Sequence, residues 1–414
     1  RHTSSSRRTR LGKSLIPVQI ALSLILVAVA GLFVASLARL LYNSTGMRED
    51  GVYMARTNLE RLPEKGEQLD ALYLRMLDYL REEPGVQSAS LVLHQPMTDS
   101  GEGSHFISRE RSGAVHEDNF EHAAVNAVGP GFFETVGIGR VAGRDFAETD
   151  SSRSPGVCIL SESAARFFFP NSSPIGGRIE APEGVARLKT ASYDVVGVVG
   201  DAKYDTLHED APPTVYLPFT QEAEQISPGG NTLSPHMDLS FMIRGADRNL
   251  IQSAYRATMR KFAPDSPVFD LVSLCDKMLQ TISADRLVAS LSAFLGILAL
   301  LLTCISLYGQ VAWSVCERRS EIGIRIALGA TRRKIVRMIV GGVIVPTGIG
   351  TVVGLGGAIA ISRILRNLIY NTRPASPALI VGSIGSLLLV AAIASFLPAR
   401  RAASVDPMKS LRME

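Results

Sequence analysis

The sequence predicts a membrane protein in two parts: an all-α domain of four transmembrane helices and an α+β domain outside the cytoplasm. Charge-free apolar runs lie near both ends of the 414-residue chain. A helix needs roughly 20 apolar residues to cross a bilayer core of about 30 Å, so these runs are long enough to be spans. Between the first run and the second, strand-like and helix-like patterns alternate, which is typical of an α+β domain.

The apolar runs and their flanks divide the chain into successive segments. Such long charge-free runs are rare in soluble cores, and in lipid a helix satisfies its own backbone polar groups. The predicted order is a basic cytoplasmic segment at residues 1–13, a first span at 14–42, an extracytoplasmic domain at 43–271, a stalk and second span at 272–316, a cytoplasmic loop at 317–337, a third span at 338–362, an outer loop at 363–373, a fourth span at 374–399 and a cytoplasmic tail at 400–414. The first span exceeds the roughly 7–15 residues of a signal-peptide core, so cleavage as a secretory signal is the less favoured alternative.

Basic residues set the orientation, because the cytoplasmic flanks of spans are rich in Lys and Arg. They cluster before the first span, between the second and third, and after the fourth. An even number of crossings separates these places, so all three are predicted to be cytoplasmic. Arg363, Arg366 and Arg373 in the outer loop oppose this rule but are outnumbered.

Periodic patterns predict the elements of the outer domain. Apolar residues at helical spacing predict helices at 67–82 and 249–262, and one from 272 to 286 that continues into the second span. Strands are predicted at 88–93, 123–128, 157–160, 193–199, 214–217, 238–243 and 268–271.

Motifs for chemistry are weak, so we expect neither an enzyme nor a bound cofactor or metal. Gly12, Lys13 and Ser14 resemble the end of a phosphate-binding loop, but the required earlier glycine is replaced by Arg7 and no strand precedes it. The net charge of +4 does not indicate a nucleic-acid partner, because the basic residues flank the spans.

Histidines and cysteines show no ligand spacing. Four of the seven histidines are predicted to lie in polar loops: His94, His105, His116 and His122. Cys158 is predicted as a buried strand thiol, and a disulfide with Cys275 is the less favoured alternative.

The cytoplasmic loop carries the most informative motif, CERRSEIGIRIALGATRRKIVRMI at residues 316–339. Glu321 and Arg325 are spaced i, i+4 in the favourable order. Gly329 is placed to end this helix, and Thr331 to cap the next. The pattern predicts a short amphipathic helix that either lies on anionic lipid or docks a cytoplasmic partner.

At this loop the sequence resembles ABC-transporter permeases of the FtsX/MacB type. The matching stretches are ERRSEIGIRIALGATRRKIVRMIV from Glu317, LPARRAASVDPMKSLRME from Leu397, VGPGFFETVGIGRVAGRDF from Val128, ILSESAARFFFPNSSPIGGRI from Ile159 and YDVVGVVGDAKYDTLHEDAPPTVYLPF from Tyr193. The basic first segment and first span resemble the second half of the duplicated permeases described from acidobacteria. A single permease with a trimmed start is the alternative.

The resemblance implies a type VII ABC system in a bacterial inner membrane. The outer region would be a MacB-like periplasmic core domain with an inserted lobe at 129–235. The implied partners are a cytoplasmic ABC ATPase dimer, a second permease unit (a fused half or a second copy), membrane lipid and a periplasmic adaptor. Such a system generally does not pass substrate through a channel between its helices. It converts ATP-driven closure into movement of the outer domain, which is called mechanotransmission. The loop helix would be the coupling helix, and we hypothesise that five residues carry the coupling: Glu317, Arg318, Glu321, Arg325 and Gly329.

Three functions are open at this point. The first is a permease for efflux or envelope transport. The second is a regulator of a cell-wall hydrolase or sensor kinase that moves no substrate. The third is a membrane-anchored binding module without an ATPase, which predicts that no ATPase co-purifies.

Overall fold

The computed structural model describes residues 4–42, 45–59, 62–98, 103–108, 121–180, 192–204, 207, 210–221, 225–226, 232–233, 239–317, 321, 325, 331–368, 382–386 and 388–394. The chain divides into two compact units, one of Arg1–Tyr42 with Ser283–Glu414 and one of Asn43–Ile282.

The helices and strands are numbered in chain order. The helices are α1 (Ser4–Tyr42), α2 (Glu67–Glu82), α3 (Phe132–Val136), α4 (Glu162–Phe168), α5 (Arg248–Phe262), α6 (Leu274–Thr281), α7 (Ser283–Glu317) and α8 (Arg332–Leu368). The strands are β1 (Val52–Arg56), β2 (Ser88–Val92), β3 (Gly103–Ser108), β4 (Glu121–Val128), β5 (Arg140–Gly143), β6 (Val157–Ser161), β7 (Arg178–Glu180), β8 (Ser192–Val199), β9 (Thr214–Pro218), β10 (Gln225–Ile226), β11 (Thr232–Leu233), β12 (Ser240–Arg244) and β13 (Val272–Ser273).

One lobe of the outer domain, the split β-α-β lobe, is built from the first and last elements of the domain. Its strands lie in the order β13-β1-β12-β2, each antiparallel to its neighbour, and α2 and α5 pack against them. This is the ferredoxin-like arrangement, in which each crossover helix joins two strands separated by a third. Its core forms because the apolar faces of α2 and α5 meet the sheet, with Tyr73 and Tyr255 both packing on Phe241.

The second part is a ring lobe, inserted in the chain between β2 and β12. Its strand pairings follow the order β4-β3-β7-β8-β6-β9 and close when β9 pairs with β4. Alternate residues, such as Cys158 and Leu160 in β6 or Val215 and Leu217 in β9, form its core with Phe168 of α4. Alternation of this kind fills the interior of a small closed barrel with side chains.

The two lobes meet at a narrow joint in the sheet. The pairing of β2 with β4 is a single residue pair, Val92 with Val128. The backbone amides of Leu93 and Gly129 add hydrogen bonds across this joint, to Ala127 at 2.9 Å and to Leu91 at 2.8 Å. The sheet is therefore continuous but thin where one lobe passes into the other.

Most of the predicted elements are confirmed, and three details are wrong. The helix at 67–82 matches α2, and six of the predicted strands overlap β2, β4, β6, β8, β9 and β12. The segment at 268–271 is not a strand, since pairing with β1 begins only at Val272. The helix expected from 272 begins at Leu274, and Ile282 separates α6 from α7. His105 and His122 lie opposite each other on β3 and β4 rather than in loops; the position of His116 lies outside the described residues.

The membrane unit contains three described helices that are long and apolar enough to cross a bilayer: Pro17–Tyr42, Ser283–Glu317 and Ile344–Ile364. A shorter apolar helix lies at Gly382–Ala394, within the predicted fourth span. Many large apolar side chains of these helices are exposed, for example Phe294 at 64% and Trp313 at 73%. Such continuous apolar surface is expected of helices that face lipid.

Candidate functional site

The predicted coupling loop follows the end of α7, whose last residue is Glu317. Glu321 and Arg325 are both helical, and their side chains form an ion pair with 2.7 Å between Oε1 and Nη2. Arg318 and Gly329 lie outside the described residues. The next helix, α8, begins immediately after Thr331, whose carbonyl accepts a hydrogen bond from the amide of Lys334 at 2.9 Å.

The Glu321–Arg325 pair is a surface feature. Each side chain is 47% exposed. An exposed i, i+4 pair of this kind contributes only about 0.3–0.5 kcal/mol to helix stability. Both charged groups reach solvent, and Arg325 Nη1 also contacts the sulfur of Met338 in α8.

The first span is the helix to which the others attach. α1 packs against both α7 and α8. Ser23 of α1 and Thr303 of α7 share a hydrogen bond of 2.6 Å between their hydroxyls, and Thr303 also donates to the carbonyl of Ala299 at 2.8 Å. Gln19 donates to the carbonyl of Leu302 at 3.2 Å. Polar side chains that bond between helices in this way hold membrane helices in register.

Glycines bring α8 close to α1. A Cβ placed on Gly354 would lie 2.9 Å from both the Cα and the carbonyl oxygen of Ala21, and one on Gly350 would lie 2.7 Å from the carbonyl oxygen of Pro17. The two glycines are four residues apart, so they form a G-x-x-x-G pair on one face of α8. Sequence reasoning missed this contact, although the motif GTVVG stood within the third span.

Two buried titratable side chains of the outer domain, Asp150 and Cys158, serve its folding. Arg144 and Asp150 form a two-armed ion pair at 2.6 and 3.0 Å. Burial raises the pKa of Asp150, but hydrogen bonds from Arg144 and from the Ala147 amide outweigh it, so this pKa lies below its ordinary value. Burial also raises the pKa of the Cys158 thiol, which disfavours the reactive thiolate.

Neither a metal site nor a disulfide is present in the described part of the chain. Cys158 and Cys275 are both free thiols. No group of His, Cys, Asp or Glu side chains among the described residues is arranged to hold a metal ion.

Comparison with known families matches nearly the whole chain in two blocks. Residues 20–258 match the MacB-like periplasmic core domain, and residues 293–407 match the FtsX-like permease C-terminal domain.

Curated relatives include proteins from several bacteria. The chain is 27% identical over 307 residues to the pyoverdine export ATP-binding/permease protein PvdT of Pseudomonas putida, covering 72% of this chain and 44% of that protein. It is 26% identical over 310 residues to the uncharacterized ABC transporter permease YknZ of Bacillus subtilis, covering 74% of each. It is 23% identical over 297 residues to the macrolide export ATP-binding/permease protein MacB of Mannheimia succiniciproducens, covering 72% of this chain and 44% of that one. The chain thus spans less than half the length of PvdT and MacB.

Two solved structures are similar to part of the chain. The periplasmic region of MacB from Actinobacillus actinomycetemcomitans is matched over 98% of its length and 59% of this chain, with 19% identity and a TM-score of 0.35. The extracellular domain of YknZ is matched over 100% of its length and 53% of this chain, with 16% identity and a TM-score of 0.32.

A large domain of mixed helices and strands, inserted between membrane-length apolar helices, defines a membrane protein with one globular unit in water. The family matches specify it further: the chain belongs to the ABC transporter permeases of the MacB/FtsX type.

Proposed function

We propose that this chain is the permease unit that couples ATP hydrolysis by a separate cytoplasmic ATPase dimer to movement of its extracytoplasmic domain, for efflux or envelope transport. The chain itself hydrolyses no ATP. It crosses the bacterial inner membrane four times and pairs with a second permease unit, with both termini and the loop at 317–337 in the cytoplasm. A periplasmic adaptor is a further partner of the outer domain.

The observation that carries this proposal is the Glu321–Arg325 pair in the loop between two membrane-length helices. Its charges are half-exposed and contribute little to the fold, as a docking surface requires. The helix that precedes it, α7, is 35 residues long and is separated from α6 of the outer domain by Ile282 alone. A displacement of the loop therefore has a short covalent path to the outer domain.

A second path runs through α1. Residues 43 and 44 alone separate the end of α1 from Thr45 of the outer domain. Fully extended, this link spans at most about 11 Å, because consecutive Cα atoms are about 3.8 Å apart. Since α1 packs on both α7 and α8, motion started at the loop reaches both connections. ATP hydrolysis supplies the free energy, and the different affinities of the ATPase for two states of the permease couple it to movement.

The test reverses the charges of the pair. Glu321→Lys with Arg325→Glu keeps a pair of opposite charges on the helix but presents the opposite pattern to a partner. We expect the permease-stimulated rate of ATP hydrolysis by the co-purified ATPase to fall at least about tenfold. Complementary charges across an interface guide docking, and like charges brought together oppose it.

The matched control reverses an exposed pair in the outer domain, Arg256→Asp with Asp270→Arg, whose groups are 3.2 Å apart. This control keeps the stimulated rate. An unchanged rate in the assembled complex carrying the loop reversal excludes the assigned coupling residues, and absence of any co-purifying ATPase favours a membrane-anchored binding module.

A further inference from the structure

Arg244, at the end of β12, binds three backbone carbonyls. Its Nε donates to Thr135 at 2.8 Å, its Nη1 to Asp50 at 3.1 Å and its Nη2 to Arg48 at 3.1 Å. No described carboxylate forms an ion pair with it, although Asp50 lies near. The guanidinium is planar and its donor directions are fixed. It therefore holds the backbone at Arg48 and Asp50 at a set distance from the backbone at Thr135.

Residues 45–50, which we call the strap, are the first described residues after α1. The strap also contacts the segment that follows β8. The amide of Lys203 donates to the carbonyl of Thr45 at 2.9 Å, and the side chains of Thr45 and Met47 are buried. Gly46 has φ +79°, and a Cβ there would lie 1.9 Å from the carbonyl oxygen of Asp201. Asp201 and Lys203 belong to the segment that leaves β8, so the strap is packed tightly against the ring lobe.

The strap is also bonded to the helix between the lobes. The amide of Arg48 donates to the carbonyl of Val136 at the end of α3, at 2.8 Å. α3 packs on β2 and β12 of the split β-α-β lobe. The strap therefore has direct hydrogen bonds to β12, to α3 and to the ring lobe. It spans the same junction at which the sheet is reduced to the single pair of Val92 and Val128.

We infer that Arg244 is a positioning residue that holds the strap across the junction of the two lobes and thereby sets the angle between them. The inference rests on the proposed function in one respect: if α1 moves, the strap is the segment that receives its movement. A shift of the strap changes the hydrogen bonds on both lobes at once, and the thin joint lets the angle change without breaking either core.

The experiment measures the distance between the lobes by paired spin labels in the full chain in lipid nanodiscs, without any ATPase. Labels at Ser253→Cys on α5 and Ser173→Cys, which follows α4, report on the two lobes; both positions are exposed. Cys275 and Cys316 are replaced by Ser and Cys304 by Ala, while buried Cys158 stays. In Arg244→Met we expect the distance distribution to widen at least twofold, with an intermediate effect in Arg244→Lys, which keeps the charge but loses the planar fork.

Two controls separate a change of angle from unfolding. Labels at Ser253→Cys and Asp78→Cys lie on α5 and α2 of the same lobe, and their distance must stay unchanged in Arg244→Met. Arg256→Met removes an exposed arginine from α5 and leaves both distributions as in the parent chain. Hydrogen exchange at the amides of Arg48 and Lys203, measured on the same samples, is expected to rise at least tenfold in Arg244→Met only.

An unchanged distribution between lobes in Arg244→Met overturns the inference, and so does faster exchange at Arg48 with none at Lys203, since the strap would then bind one lobe alone. If Arg244→Met fails to fold, the Arg244→Lys result decides. These measurements involve no ATPase, so they stand whether or not charge reversal at the coupling loop changes ATP hydrolysis.

Discussion

Two aspartates five residues apart, Asp145 and Asp150, have pKa values shifted in opposite directions. The side chain of Asp150 is 7% exposed. Its carboxylate accepts hydrogen bonds from both terminal nitrogens of Arg144 and from the amide of Ala147. Burial raises the pKa of Asp145, whose nearest hydrogen bond comes from the amide of Phe146 at 2.7 Å. Ionised Asp150 is thus a stabilising group, whereas ionised Asp145 costs free energy.

We therefore expect Asp150→Asn to lower the free energy of unfolding of the outer domain by about 1–3 kcal/mol at neutral pH, the usual range for unmaking a buried charged hydrogen bond. The folded-state pKa of Asp150 lies below its unfolded value of about 3.9, so its contribution is present above about pH 4 and is lost as pH falls through the folded pKa. Chemical denaturation between pH 3 and 7 measures this: the difference from the parent shrinks on acidification.

Asp145→Asn is the matched comparison. The pKa of Asp145 is shifted upward, opposite to that of Asp150, so its ionised form costs free energy. This substitution is therefore expected to be neutral or slightly stabilising at pH 7. An equal loss of stability in both variants contradicts this account of the two carboxylates.

At the scale of elements, the membrane helices are joined in two different ways. α7 is attached to α1 through hydroxyl hydrogen bonds, whereas α8 is attached through close backbone approach at Gly350 and Gly354. Hydrogen bonds between membrane helices contribute only about 0.6 kcal/mol each, so the apolar packing of Leu307 with Ile20 and Leu24 also holds α7 to α1.

Gly354→Ala is expected to force α8 away from α1, because the new Cβ meets backbone atoms that cannot rotate aside. Overpacking of this kind costs about 1–3 kcal/mol. Gly356→Ala is the control, since nothing lies within 4 Å of its Cβ position. The measurement is the thermal midpoint of the purified protein in detergent. Equal midpoints for the two variants contradict the close contact.

Local sequence patterns predicted the helices and strands of the outer domain better than their pairing. The helix α2 was predicted to the residue because seven of its residues are buried on one face at helical spacing. β7 was missed because it is only three residues long, β1 because its buried and exposed residues do not alternate, and β5 because all four of its residues are exposed. The closure of the ring lobe depends on the pairing of β4 with β9, some 90 positions apart, which no local pattern encodes.

The candidate site was predicted only where its contacts are local in sequence. Glu321 and Arg325 form the expected pair because an i, i+4 contact is local. The role of the coupling residues stays a prediction. Arg244 was not singled out, since a lone arginine ending a strand looks like any solvated charge, and its three carbonyl partners come from distant segments.

For the whole molecule, orientation is the prediction on which the proposed function depends. A cysteine at Ser173 in the outer domain and one at Thr331 before α8 are both exposed. In a background without the other exposed cysteines, a membrane-impermeant maleimide added to spheroplasts, whose inner membrane is intact, is expected to label Ser173→Cys. Thr331→Cys is labelled only after the membrane is opened, because the basic loop is held inside. Labelling of both from one side contradicts the four-span arrangement.

The hydroxyl pair between α1 and α7 also has a consequence for synthesis. Ser23 and Thr303 are 280 residues apart, so a ribosome adding about 5–20 residues per second makes the second roughly 14 to 56 s after the first. During that interval Ser23 cannot bond to Thr303. The newly inserted α1 must hold its place without that hydrogen bond, and its mean hydropathy of 2.7 is the highest of the three candidate spans.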